Sequence, residues 1–179
     1  MTWAFVTGNL DKHREAEAIL GRPLERIELD LPEIQATTTR DVALVKARAA
    51  FAALGRPVIV EDAGFELAAL AGFPGPFIKY WEQLGGLASI CRAVDGLGDR
   101  RAAAVCVLAL CDDREARVVE GRIEGTVSAS PRGDNGFGWD AIFIPEGHQR
   151  TFGEMTAQEK GSISHRRRAW DALASEGFR

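Results

Sequence analysis

Five clusters in the 179-residue sequence combine residue types able to act on a charged ligand. The first is Thr7-Gly8-Asn9-Leu10-Asp11-Lys12. A small turn opening a helix leaves backbone N–H groups that attract phosphate, and the helix dipole adds to the attraction. Lys12, in the first turn, meets the same anion. The pattern is no P-loop, because GxxxxGK[ST] is absent, and no GxGxxG occurs. A structural turn capped by Asn9 fits the same spacing. The second cluster is Lys46 on the apolar stripe of its own helix. Either its stem snorkels to solvent or it points into an anion site. The third is Glu61-Asp62-Ala63-Gly64 at the end of a buried strand, where α/β sheets bind ligands. With Glu33 these acids could hold a hard cation, and Mg²⁺ prefers one or two carboxylates plus water and phosphate oxygens. Solvated turn acids are the plain alternative.

The fourth cluster is Gly136-Phe137-Gly138-Trp139-Asp140. Its glycines let backbone approach a ligand, Phe137 and Trp139 offer flat surfaces for a base, and Asp140 could accept from the base edge. A glycine loop whose aromatics fill the core fits as well. The fifth is Glu159-Lys160-Gly161-Ser162-Ile163-Ser164-His165-Arg166. On one continuous helix, Lys160, Ile163, Arg166 or Arg167, and Trp170 would share a stripe. His165 could donate to a phosphate or a base carbonyl, and Arg166 to Arg168 also read as a solvated basic run. Together the clusters supply lysines for phosphates, acids for a metal, aromatics for a base and a His-Arg pair. That inventory fits a nucleoside triphosphate in a cleft.

These residues need a scaffold, and the hydrophobic pattern outlines one. A buried strand is expected near Thr2 to Thr7, a helix over 11–20 closed by Gly21, and a strand over 26–29. A helix over 41–54 is capped by Thr39, with Val42, Val45, Ala49, Ala52 and Ala53 inward and Gly55 as its stop. A strand over 57–62 follows, then a rigid turn over 72–76 opening a helix through Leu84, and a short helix over 87–94. Strands over 102–110 and 117–127 form a meander, and a glycine-rich loop over 133–138 leads into a strand over 139–144. Thr156 and Glu159 form a capping box, Gly161 interrupts the helix, and Ser162 or Ser164 starts another. This is an α/β pattern with a mixed, strongly twisted sheet in two lobes around a cleft, and the length suits a single domain over 1–179.

Composition narrows the classes. A net charge of −4 and a pI near 5.5 argue against a dedicated nucleic-acid binder. No apolar run approaches the ~20 residues of a spanning helix, and the first residues resemble no export signal. Three cysteines, Cys91, Cys106 and Cys111, with no CxxC pair, suit reduced thiols in the cytoplasm. Only four of 22 basic residues are lysines, so Lys12, Lys46, Lys79 and Lys160 stand out. Lysine is a compact point charge, often set against phosphate.

The sequence resembles the inosine triphosphate pyrophosphatase family over nearly its whole length. The likeness rests on Phe5 to Lys12, Asp30 to Glu33, Val60 to Gly64, Gly72 to Lys79, Gly136 to Asp140 and Glu159 to Arg166, in the family's order. It implies an elongated α/β fold with a central cleft, a homodimer, and Mg²⁺-dependent cleavage of ITP, dITP and XTP to monophosphate and pyrophosphate. It implies that Thr7, Gly8, Asn9, Lys12, Lys46 and Lys160 hold phosphates, and that Phe137, Gly138, Trp139, Asp140, His165 and Arg166 read the base. Asp62 is implied as general base and metal ligand, with Glu33 as a second acid at the metal. Ala63, implied to bind substrate, departs from the pattern, since many members carry Ser or Thr there and use its hydroxyl on the substrate; its backbone N–H could still make a contact. The segment 36–40 also lacks the acidic character expected of it. Rival readings are a related pyrophosphatase for pyrimidine or modified nucleotides, and a catalytically idle nucleotide-binding module.

Overall fold

The computed structural model describes residues 3–178. Among them seven strands form one mixed sheet in the order β2-β1-β3-β5-β6-β7, with β4 added on β3. The strands are β1 (Ala4–Val6), β2 (Arg26–Ile27), β3 (Val58–Leu67), β4 (Pro74–Gly75), β5 (Arg101–Cys111), β6 (Ala116–Val127) and β7 (Phe143–Pro145). The helices are α1 (Leu10–Leu20), α2 (Thr39–Leu54), α3 (Ile78–Gly85), α4 (Leu87–Leu97), α5 (Ala157–Ile163) and α6 (His165–Ser175). β1 runs parallel to β2 and β3, and the remaining pairings are antiparallel.

The alternation along β3 decides which helix meets which acid. Val58 and Val60 pack on the side of α2, against Ala43, Ala47 and Ala50. Ile59 packs on the other side, with Phe5, Ala16 of α1 and Ala169, Trp170 and Leu173 of α6. Successive side chains on a strand alternate faces, so Asp62 turns towards α2 and Glu61 towards α1 and α6. β3 also carries an opening in its edge. One edge pairs with β5 from Val58 to Leu67, whereas the other meets β1 at 58–60 and β4 at 65–66. Residues 61–64 lie between those two neighbours, and there a ligand can approach the sheet.

Close packing fixes the helices around that gap. Gly64 and Gly121 matter for having no side chain. A Cβ at Gly64 would strike Thr39 Oγ1 at the start of α2. A Cβ at Gly121 on β6 would strike the His165 carbonyl and the Ala169 nitrogen, so α6 rides on the β6 backbone. Beyond the gap, α3, α4 and the turns after β6 close a second core around Phe65, Ile90, Trp139, Phe143 and Phe152.

Several boundaries differ from the sequence reading for identifiable reasons. Thr38, not Thr39, caps α2, by accepting from the Asp41 N–H at 3.1 Å, and Thr39 is buried instead. The inner face of α2 runs through Thr39, Val42, Ala43, Ala47 and Ala50, so Val42 is inward as expected, Val45 and Ala49 are half-buried, and Ala52 and Ala53 are exposed. Alanine spread around the helix leaves little contrast between faces. The second strand stops at Ile27, and β3 runs on to Leu67 because β5 pairs with it throughout. The segment 138–142 is a 3-10 helix, not strand, tied by the Asp140 side chain to the Phe137 N–H at 2.8 Å. Gly161 stays inside α5, and of the two serines expected to start the next helix it is Ser164 whose hydroxyl caps α6. Of the strand expected from Thr2, residues 4–6 form β1, and Thr2 lies outside the described residues.

Candidate active site

A cleft of about 780 Å³ lies over the gap in β3, and every residue that the family resemblance implies for substrate, metal or catalysis lines it, Ala63 included. The turn after β1 forms one wall. Asn9 caps α1 by accepting from the Asp11 and Lys12 N–H groups at 2.9 and 3.0 Å, so the capping reading of this residue holds. The cap sets Lys12 in the first turn of α1, where its ammonium donates to the Glu61 carbonyl at 3.3 Å.

The acids divide between two sets of partners. Lys46 donates to Glu33 Oε1 at 2.8 Å and to Asp62 Oδ1 at 3.0 Å. Its stem therefore does not snorkel away, and α2 delivers the ammonium between two carboxylates. Lys79 and the Tyr80 hydroxyl donate to the second Glu33 oxygen. Burial alone would raise the Glu33 carboxyl, but Lys46 and Lys79 outweigh it and hold it at about 2. For Lys46, burial opposes the charge and the two carboxylates win, so its pKa rises.

Glu61 faces the other way and is fully buried. Arg166 donates to both its oxygens, from Nε at 2.9 Å and from Nη2 at 2.7 Å. Burial would raise this carboxyl too, yet Arg166 and Lys12 hold it down. Arg166 also donates to Glu15 of α1, as does Lys160, at 2.7 Å. Lys160 in turn donates to Asp140 at 2.6 Å. Lys12, Glu61, Arg166, Glu15, Lys160 and Asp140 thus form one chain of alternating charge along the cleft. The bend at Ser164 between α5 and α6 turns both Lys160 and Arg166 inward, where one continuous helix would have set them along a single stripe.

The far end is aromatic. Phe137 is half-buried, with Lys160 4.7 Å and Arg166 5.4 Å from its ring centroid. Trp139 is 8% exposed, its ring packed against Phe65, Phe143 and His165, so most of it belongs to the core. His165 is buried with its Nδ1 lacking a hydrogen-bond partner. Burial, then the charges of Arg166, Lys160 and Lys12, push its pKa well below 6.5, so the ring is neutral. A neutral imidazole keeps one donor and one acceptor.

Sequence reasoning passed over Glu15, the pairing role of Glu61, and Glu82. Glu15 lies three residues after Lys12, on the same face of α1, which is the signal that would have found it. Glu82 of α3 lines the cleft near Gly138. Burial, then Asp140, raises its pKa.

A seven-stranded mixed sheet with this cleft has close relatives of known structure. A HAM1 protein from Coxiella burnetii superposes with a TM-score of 0.83 at 31% identity, covering 98% of each chain. The Staphylococcus aureus Ham1 protein gives a TM-score of 0.83 at 29% identity, over 98% of this chain and 99% of that one. The sequence model of the Ham1 family matches residues 3–176. The chain belongs to the Ham1 family. Among relatives of this Ham1 chain is a dITP/XTP pyrophosphatase of Methanopyrus kandleri, 41% identical over 174 residues, covering 95% of this chain and 93% of the relative. An inosine triphosphate pyrophosphatase of Batrachochytrium dendrobatidis is 42% identical over 178 residues, covering 97% and 92%.

Donor chemistry bears on a metal. Glu33 and Asp62 already converge on one cation, the Lys46 ammonium, and offer only hard oxygens. Among the described residues no three His, Cys, Asp or Glu groups gather as a cage. Two hard carboxylates fit Mg²⁺, which takes one or two protein oxygens and leaves most of its positions to water and phosphate.

Proposed function

We propose that this protein hydrolyses purine nucleoside triphosphates with non-standard bases, ITP, dITP and XTP, to monophosphate and pyrophosphate, and so cleanses the nucleotide pool. One observation carries the reading: Lys12, Lys46, Lys160 and Arg166, from three separate parts of the chain, converge with Asp62 and Glu33 in one cleft. The activity named for the relatives agrees with it.

A triphosphate brings about four negative charges. Lys12, Lys46 and Lys160 neutralise them and stabilise the charge that grows on the departing pyrophosphate. Asp62 orients a water towards the α-phosphorus and accepts its proton. Glu33 and Asp62 would hold Mg²⁺, which supplies Lewis-acid polarisation of the phosphate oxygens. Neutral His165 and charged Arg166 donate to a 6-oxo group, with Phe137 against the base. A 6-amino group would turn its own hydrogens towards those donors and leave buried groups unpaired, which is how large discrimination arises. Ala63 contributes no hydroxyl to the substrate.

The protein acts as a homodimer in the cytoplasm, with no nucleic-acid or membrane partner. Exposed Phe73, Tyr80 and Leu84 on and before α3 support a protein interface there, and buried, unpaired Cys91, Cys106 and Cys111 suit a reducing compartment. No helix among the described residues is long and apolar enough to cross a membrane.

The test is pyrophosphate release from dITP, XTP, dGTP and dATP at equal concentration, with Mg²⁺ and with a chelator. Fast release from dITP and XTP, slow release from dATP, and loss with chelator are expected. Equal rates on all four would refute the cleansing role.

A further inference from the structure

We infer that Glu61 is a positioning residue that aims Arg166 and Lys12 together, and that it is not a ligand of the metal. The inference deepens the proposed reading and rests on it.

Both Glu61 oxygens are committed to the chain itself. Oε2 accepts from Arg166 Nε at 2.9 Å and Oε1 from Nη2 at 2.7 Å, while Lys12 Nζ stands 3.5 Å from Oε1. The Glu61 and Arg166 side chains are 0% and 1% exposed. Asp62, the next residue, points to the opposite face and shares Lys46 with Glu33. A metal held by Glu33 and Asp62 therefore lies on the side that Glu61 turns away from.

The fork geometry is what gives Glu61 its effect. A guanidinium is planar, with five N–H groups in fixed directions. Glu61 takes two of them side by side and Glu15 takes a third, so the direction of the other two is set. The same Glu61 carboxylate and the Glu61 carbonyl anchor the Lys12 ammonium. One buried residue thus fixes the register between the donor for the base and the cation for the phosphates. Loss of such placement harms the well-fitting substrate most, because a poorly fitting one gains little from it.

The experiment measures kcat/KM for dITP and dATP, and the Mg²⁺ concentration for half-maximal rate, in wild type, Glu61→Gln, Glu61→Asp and Arg166→Lys. In Glu61→Gln, dITP turnover should fall about 100-fold and dATP turnover, which also relies on Lys12, by less than about tenfold, so the dITP-to-dATP ratio falls at least about tenfold. Glu61→Asp keeps the charge but is one methylene short, and Arg166→Lys keeps a charge without the fork. Both should lose at least about tenfold of the ratio. The Mg²⁺ midpoint should stay within about twofold. A merely structural role lowers the folded fraction, hence both substrates alike, and leaves the ratio intact. A folded Glu61→Gln with the wild-type ratio overturns the inference, and so does a tenfold shift in the Mg²⁺ midpoint. If Glu61→Gln does not fold, Arg166→Lys decides, and a wild-type ratio there overturns it. Wild type that fails on dITP would instead sink the proposed function, and this inference with it.

Discussion

Lys160 and Asp140 meet at 2.6 Å with side chains 5% and 4% exposed, joining α5 to the 3-10 turn over 138–142. Burial raises the Asp140 carboxyl, and Lys160 and the Phe137 N–H pull against that rise. Breaking a buried pair by removing one partner leaves an uncompensated charge and costs roughly 3–5 kcal/mol. Lys160→Met should therefore destabilise the fold by about 3 kcal/mol in urea unfolding. Adding Asp140→Asn, which keeps the cap on Phe137, should restore part of the stability and none of the activity. Full activity in either variant would remove Lys160 from the phosphate site.

Gly121 supports the position of Arg166 from beneath. Gly121→Ala forces α6 off β6, because the colliding atoms belong to the backbone of His165 and Ala169. Overpacking of this kind costs about 1–3 kcal/mol. The variant should unfold at lower denaturant and hydrolyse dITP more slowly. Wild-type values for both would mean that α6 is not held by this contact.

His165 gives a signed dependence on pH. Its folded pKa lies well below 6.5, so below pH 6.5 the unfolded chain takes a proton that the folded chain does not. Stability is lost as pH falls through the unfolded value. From pH 7.5 to 5.5 the wild type should lose about 1 kcal/mol more than His165→Gln. Parallel stability curves for the two proteins would contradict a neutral, buried ring.

Lys46 keeps the Glu33 carboxyl low. In Lys46→Met, Lys79 remains but the shared ammonium is gone, so the Glu33 pKa should climb from about 2 towards 4.5. A carboxyl-carbon NMR titration reads this directly. An unmoved value would show that Lys79 alone sets it.

Much of this site was legible because its chemistry is local. Thr7 to Lys12 is a turn and a cap within six residues, and Gly136 to Asp140 closes on itself through Asp140 and the Phe137 N–H. Lys46 was visible as a cation on an apolar stripe, but its partners Glu33 and Asp62 lie 13 and 16 residues away, and spacing alone does not pair them. The bond from Glu61 to Arg166 spans 105 residues and exists only because Gly121 lets α6 settle on the sheet. Glu61 and Asp62 look equivalent in the sequence. The pleat of β3 separates them, and their separate roles emerge only once α1, α2 and α6 have faces to occupy. Ser164, one of the two serines the sequence offers as the start of the last helix, does start it by accepting from the Arg167 N–H, whereas Gly161 does not interrupt α5 because a lone glycine is tolerated in a helix.

The most direct test compares pyrophosphate release from dITP by wild type and by Asp62→Asn, both with Mg²⁺ and with folding checked by circular dichroism. Asp62→Asn should fold and turn over dITP about 10² to 10⁴ times more slowly. Equal release by the two proteins would contradict a cleft in which Asp62 activates the water.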